Sequence, residues 1–135
     1  MLCAARRRGV EIQILVPGKN IDTAVTRRAS RSLWGPLLEC GIEIFEFQPT
    51  MFHVKVMIID EVFTSVGSTN FDNRSFKLND EANLNILDRD LGEAQSQVFD
   101  EDLGRAKQVT LEAWRNRPFR EKAIEKLASW IRWEL

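Results

Sequence analysis

Histidine is scarce in this chain: His53 is the only one. Chemistry that needs two imidazoles therefore cannot be completed by one copy. A basic excess is also missing. Nineteen Lys and Arg stand against twenty Asp and Glu, a net charge of -1, where a general nucleic-acid binder usually shows a surplus of cations. No apolar run reaches the roughly 18 to 20 residues of a membrane-spanning helix. If the intact protein is anchored in a membrane, this segment does not span it. The first dozen residues hold no apolar block followed by a small-residue cleavage site, so no signal peptide is expected. Cysteine is limited to Cys3 and Cys40, which have neither metal-ligand spacing nor the density of a disulfide framework. They read as reduced thiols of a cytosolic compartment. Internal repeats, low-complexity tracts and linkers are absent, and 135 residues predict one domain spanning 1–135. With 44% hydrophobic and 29% charged residues, wholesale disorder is not expected.

The charge is unevenly distributed. Residues 1–35 carry seven basic and two acidic side chains, and the remainder twelve and eighteen. Arg6, Arg7, Arg8, Arg27, Arg28 and Arg31 could face an anionic partner; a solvated helix face explains them equally well.

The hydrophobic pattern predicts a mixed β-sheet flanked by helices. Val10 to Val16 alternates and then runs apolar, as a strand entering a covered sheet would. Asp22 or Thr23 can cap a helix through Ala24, Val25, Ala29, Leu33, Leu37 and Leu38. Pro36 should kink or restart that helix, and Gly41 should end it. Ile42 to Phe47 is a second strand, and Gln48 to Phe52 a loop. Val54 to Asp60 is a third strand, apolar on both faces except at Lys55. A tight turn at Asp60-Glu61 leads into a hairpin partner, Val62 to Val66. Gly67 to Asn79 is irregular, and Glu81 to Leu87 alternates as a further strand. From Asp90 the pattern is helical, with Leu91, Ala94, Val98 and Leu103 on one stripe, continuing through Val109 to Arg115. A last amphipathic helix carries Ile124, Leu127, Ile131 and Leu135. Leu2, Ala4 and Ala5 before Arg-Arg-Arg-Gly read like the last turns of a helix delivered into a strand, which points to a fragment of a longer protein.

The chemistry concentrates in one stretch, His53-x-Lys55-x4-Asp60-x6-Gly67-Ser68-x-Asn70. His53 and Lys55, two apart at a strand's start, share a face. An anion between them would explain an imidazole and an ammonium opening a core-like strand. After the hairpin, Gly67-Ser68-Thr69-Asn70 returns to the same sheet end. It brings a backbone that allows close approach, a hydroxyl and an amide, all able to donate to phosphate oxygens. Lys55 supplies charge, and His53 can attack phosphorus or move a proton. Glu81, opening another strand, can hold the second imidazole nitrogen.

This string resembles the HKD signature of the phospholipase D superfamily. Asn70-Phe71-Asp72-Asn73-Arg74-Ser75, followed by Asn79-Asp80-Glu81, resembles the N-x-D-x-R-S…N-x-E tract of bacterial cardiolipin synthases. Arg8 to Ile12, Leu37 to Ile42, Gln48 to His53 and Trp114 to Pro118 are similar to the second half of that family. The resemblance implies a phospholipase D-like half-domain lacking its N-terminal strand. It also implies a two-step, metal-free displacement at a phosphodiester with no cofactor, in which one histidine forms a phosphohistidine and a second works as acid and base. Carried over, His53 is nucleophile or general acid, with the acid preferred. Lys55 and Asn70 bind phosphate, Ser68 assists, and Glu81 orients the imidazole. Asp60 braces the turn beneath the site. The expected reaction is phosphatidyl transfer between phosphatidylglycerol-like lipids, peripherally at the cytoplasmic side of the cell membrane. The missing second motif must come from a longer chain or from a homodimer partner. The alternatives are a homodimeric phosphodiesterase or endonuclease, against which the near-neutral charge weighs, and an inactive half-domain. Trp114, Trp130 and Trp133 with Arg132 fit either a lipid-contacting face or core and subunit contacts. Arg74 and Ser75 could pin their loop or touch a second headgroup.

Overall fold

Strand propensity appears first at Gln13–Pro17 (β1), three residues later than the alternation suggested. Val10 is exposed. The computed structural model describes residues 1–19, 27, 30–70 and 80–124. Its elements are α1 (Leu2–Arg7), β1, α2 (Trp34–Glu39), β2 (Glu43–Phe47), β3 (Val56–Ile59), β4 (Phe63–Gly67), β5 (Asn83–Leu87), α3 (Arg89–Gly104), β6 (Ala106–Val109) and α4 (Leu111–Arg115). The class is mixed α/β as expected, but the strands divide between two three-stranded sheets, β1-β2-β6 and β3-β4-β5. The backbone likewise divides into two units, Met1–Phe52 with Arg105–Leu135, and His53–Gly104.

In the first unit β1 runs parallel to β2, and β6 antiparallel to its other side. Pro36 does restart a helix. Helical residues at 30–31 give way to a turn, and α2 begins at Trp34 with Pro36 in its first turn, where the missing N–H has no intrahelical role. Gly41, at φ +81°, ends the helix. Its N–H donates to Leu38 O (3.0 Å) and the Ile42 N–H to Leu37 O (3.1 Å), the paired bonds of a Schellman ending. Trp34, Leu38 and Ile44 form the buried centre, with Ile14, Val16, Leu37, Val109, Leu111 and Trp114 packed around them. The Trp114 ring fills the space over Gly35, where an added Cβ would lie 2.4 Å from it, and its N–H donates to Arg31 O (3.2 Å). Trp114 is thus a core residue; Trp130, Trp133 and Arg132 lie outside the described residues.

Three expectations about this unit are corrected. Cys3 and Cys40 are joined in a disulfide, with Cα atoms 5.5 Å apart. Spacing in sequence could not show this, because α1 docks on the turn after α2. There Arg6 Nε donates to Gly41 O (3.0 Å). The cytosolic reading built on reduced thiols loses that support. Residues 106–109, read as helix, form β6; Gly104 closes α3 and the short segment pairs with β2, tertiary pairing overriding local pattern. Among the early arginines, Arg27 and Arg31 belong to no open basic face, whereas Arg7 and Arg8 are exposed. Arg27 and Arg31 both bind Glu46 (2.5 and 2.9 Å), whose carboxylate is buried at 8% residue exposure. Arg28, the helix caps Asp22 and Thr23, and the apolar positions Ala24, Val25 and Ala29 fall outside the described residues. So do Leu127, Ile131 and Leu135 of the last helix; residues 119–124 are helical.

In the second unit β3, β4 and β5 form an antiparallel meander. Asp60 and Glu61 both have positive φ (51° and 54°), and Val62 N–H closes the turn on Ile59 O (3.1 Å), the conformation that type I′ hairpin turns demand. The Asp88 carboxylate caps α3 by accepting the Leu91 N–H (2.8 Å). The expected stripe of α3 holds at its ends and is rotated in its middle: Leu91 and Leu103 are half-buried as expected, and Gln95, Ser96 and Phe99 with them, whereas Ala94 and Val98 are exposed. Gly92 explains the rotation. Its backbone lies so close to the Asp60-Glu61 turn that an added Cβ would be 2.2 Å from Glu61 O, so this face must meet the hairpin. Strand β3 is also less buried than its composition implied, with Met57 and Ile59 42% and 48% exposed.

Candidate active site

An antiparallel meander gathers the start of its first strand, the end of its second and the start of its third at one edge. Here that edge collects His53 and Lys55 before β3, Gly67 at the end of β4 with Ser68 to Asn70 after it, and Glu81 before β5. The ladder shows the alignment directly. Gly67 N–H donates to Lys55 O (3.2 Å), and Gly67 pairs with Asn83. Lys55, Gly67 and Asn83 thus form a row across the three strands.

His53 and Lys55 share a face and touch. Lys55 Nζ lies 2.7 Å from His53 Nε2 and 3.1 Å from His53 O. An ammonium donates only, so in this contact Nε2 accepts and the ring proton belongs on Nδ1. The pair does not open a buried strand, as the sequence suggested. His53 is exposed and Lys55 half-buried, both in an extended segment just ahead of β3. Their geometry comes from local contact and from the Lys55–Gly67 backbone bond.

The turn after β4 is stitched to β5. Ser68 N–H donates to Ala82 O (3.1 Å), and Ala82 N–H donates back to Ser68 Oγ (3.1 Å). The Ser68 hydroxyl therefore serves first as an acceptor for backbone. Thr69 N–H donates to Asn83 Oδ1 (3.2 Å), and Asn83 Nδ2 donates to Ser65 Oγ (3.3 Å). Glycine at 67 was expected to let a phosphate approach. The structure shows a different close neighbour: an added Cβ would lie 2.2 Å from both Ala82 O and Asn83 Oδ1. Asn70 is exposed at the end of the turn, and Glu81 is half-buried beside Ala82. Asp60 lies at the opposite end of β3, in the hairpin turn, away from His53, Lys55, Ser68, Asn70 and Glu81. Arg74 and Ser75 lie outside the described residues. Sequence reasoning passed over Asn83, treating it as one polar member of an alternating strand; its position opposite an invasive glycine was the available signal.

A family profile described as "Cardiolipin synthase, PLD-like domain" matches residues 1–103. The chain belongs to this family. It is 37% identical over 126 residues to cardiolipin synthase A of Serratia proteamaculans (strain 568) and 36% identical to that of Proteus mirabilis (strain HI4320). Each alignment covers 93% of this chain and 26% of the relative, so the chain spans about a quarter of the length of these synthases. Among solved structures, the fold is similar to a phospholipase D family member, Nuc from Salmonella typhimurium. The TM-score is 0.71 at 25% identity, covering 81% of this chain and 70% of Nuc. The string from His53 to Asn70 falls inside the matched region, as do Glu81 and Asn83. No helix among the described residues is long and apolar enough to cross a membrane.

Proposed function

We propose that this chain supplies one half of a phosphodiester-transfer site of cardiolipin synthase type. The observation that carries the reading is the contact of Lys55 with His53 Nε2 beside the Gly67–Asn70 turn. A phosphodiester entering there would draw the Lys55 ammonium onto a phosphoryl oxygen and free Nε2, to attack phosphorus from a neutral ring or to hand on a proton from a protonated one. The amide of Asn70 adds a directional donor, Ser68 steadies the turn, and Glu81 orients the imidazole.

Two displacements follow. In the first, one histidine attacks phosphorus: a P–N bond forms, the P–O bond to the leaving alcohol breaks, and the other histidine protonates that oxygen. In the second, the now neutral histidine takes the proton of an incoming alcohol. The alcohol oxygen bonds to phosphorus and the P–N bond breaks. His53 plays one of these parts, preferentially the acid. The single-histidine composition requires that its counterpart come from elsewhere, and a chain one quarter the length of its relatives leaves room for a second half in cis. The substrate is phosphatidylglycerol-like, and the site works peripherally at a membrane surface without a metal.

A homodimeric phosphodiesterase is the second reading, favoured by the 70% coverage of Nuc, a far larger share than of the synthases. One experiment separates the two. The chain, alone and together with an N-terminal half of a related synthase, is given phosphatidylglycerol vesicles in one arm and single-stranded DNA in the other. Glycerol release with a two-phosphate lipid product supports transfer, and DNA cleavage by the chain alone supports the second reading. His53→Ala should abolish either activity, and EDTA should leave it unchanged. Turnover that survives His53→Ala, or no product in any arm, overturns the assignment.

A further inference from the structure

We infer that Asn83 is a positioning residue for the phosphate-gripping turn; the inference rests on the reading of Gly67–Asn70 proposed above. A turn that must present Asn70 and its own backbone to phosphoryl oxygens has to be held in one orientation before substrate arrives. Backbone pairing alone does not accomplish this, because the β4–β5 ladder ends at the Gly67–Asn83 pair. Beyond it, two stitches continue. One is the reciprocal pair between Ser68 and Ala82. The other is the Asn83 side chain, whose Oδ1 accepts the Thr69 N–H at 3.2 Å. That bond fixes the peptide plane between Ser68 and Thr69, and so the direction in which the chain proceeds to Asn70.

Asn83 is itself braced. Its Nδ2 donates to Ser65 Oγ at 3.3 Å, and Ser65, two residues before Gly67 on β4, is 6% exposed. The two contacts define the amide orientation, oxygen toward the N–H and nitrogen toward the hydroxyl. Gly67 leaves the room: a Cβ there would sit 2.2 Å from Asn83 Oδ1. Ser65, Gly67, Thr69 and Asn83 therefore form one bracket. Asparagine suits it because a single short side chain must accept from one neighbour and donate to the other. Leucine fills similar volume and does neither. Aspartate keeps the acceptor for Thr69, and the Ser65 hydroxyl can turn to donate to it.

The test uses the 135-residue chain with Asn83→Leu, Asn83→Asp and Ser65→Ala. Amide hydrogen exchange, followed by NMR, reads the bracket without any need for turnover. Thr69 protection should fall at least tenfold in Asn83→Leu and persist in Asn83→Asp. Equal Thr69 protection in wild type and Asn83→Leu overturns the inference. In whichever assembly turns over phosphatidylglycerol or DNA, Asn83→Leu should lower kcat/KM by about 10- to 100-fold, the penalty expected for a group misplaced by about 1 Å. Its unfolding temperature should fall by only several degrees, the cost of two lost hydrogen bonds. If Asn83→Leu does not fold, Ser65→Ala, which removes only the brace, should show a smaller loss of the same kind. Full turnover in both variants beside a dead His53→Ala overturns the role of Asn83 and leaves the site reading standing. Turnover in His53→Ala overturns both.

Discussion

Gly67→Ala is the most exacting perturbation of this architecture, because the structure states what an added methyl would meet. Its Cβ would stand 2.2 Å from Ala82 O and Asn83 Oδ1 and 2.7 Å from Asn83 Cα. Two of these three atoms are backbone, so rotation of a side chain cannot clear the clash. Reaching ordinary contact at about 3.4 Å means moving β5 away from β4 by about 1 Å at the site end. The Ser68 N–H to Ala82 O bond, now 3.1 Å, would be stretched out of hydrogen-bonding range by such a shift, and the return bond to Ser68 Oγ with it. Overpacking of this kind costs about 1–3 kcal/mol, and each lost bond about 0.5–1.5 kcal/mol, so a loss of about 3 kcal/mol is expected. Gly104→Ala is the matched control. It closes α3 with nothing within 4 Å of an added Cβ and no positive φ, so it should raise stability by about 0.4–1 kcal/mol through the unfolded chain. Urea denaturation of both variants reads the difference. If Gly67→Ala lies within about 0.5 kcal/mol of wild type, the typical scatter of inconsequential surface changes, the close approach of β4 and β5 is not a constraint and the bracket around Asn83 loses its rationale.

Four other outcomes follow. Reduction of the Cys3–Cys40 disulfide, which closes a 37-residue separation, should lower stability by up to about 4 kcal/mol on the loop-entropy estimate. Thermal melts with and without a phosphine reductant measure this, and alkylation of both thiols in the unreduced, unfolded chain would contradict the bond. Glu46→Gln leaves Arg27 and Arg31 without their buried counter-charge and should destabilise by about 3–5 kcal/mol; a urea-melt loss under about 1 kcal/mol would show the cluster to be well solvated. Glu61→Gly removes a side chain from φ 54° and should add about 1 kcal/mol, read as a raised denaturation midpoint. Gly92→Ala should do the reverse by about 1–3 kcal/mol, since its Cβ would strike the Glu61 carbonyl; an unchanged midpoint would undo the account of how α3 is rotated.

Legibility in the sequence followed the range of the interaction. The edge of the meander was readable because strand parity and hairpin return are local: His53, Lys55, Gly67 to Asn70 and Glu81 needed only a tight turn at Asp60-Glu61 to arrive together. Pro36 and Gly41 were readable for the same reason, each acting on its own backbone. Contacts made across the chain were not. The strand β6 exists because Ala106–Val109 finds β2, more than fifty residues earlier in sequence, and four residues of its own pattern could not announce that. Cys3 and Cys40 are joined by the docking of α1, and Arg27 and Arg31 are tied down by a glutamate on β2. The face of α3 was misread by one position because a glycine, not an apolar residue, makes its closest approach.

The two units also differ in what holds them, and that difference bears on the chemistry. The first keeps a conventional apolar centre around Trp34, Leu38 and Ile44. In the second, Thr64 and Ser65 are the buried residues of β4, while Met57, Ile59, Leu84 and Leu87 stand exposed. Burial of apolar area therefore does less there, and directional bonds do more: Gly67 to Lys55, Ser68 to Ala82, Thr69 to Asn83 and Asn83 to Ser65. Hydrophobic packing tolerates small shifts because it is non-directional, whereas a chain of directional hydrogen bonds anchored at a glycine does not. A site that must hold a phosphoryl group between an ammonium and an amide benefits from the second kind of support. Changes at Ser65 and Asn83 should accordingly reduce turnover out of proportion to their effect on stability, while changes at Gly67 or in the Trp34 cluster should reduce both together.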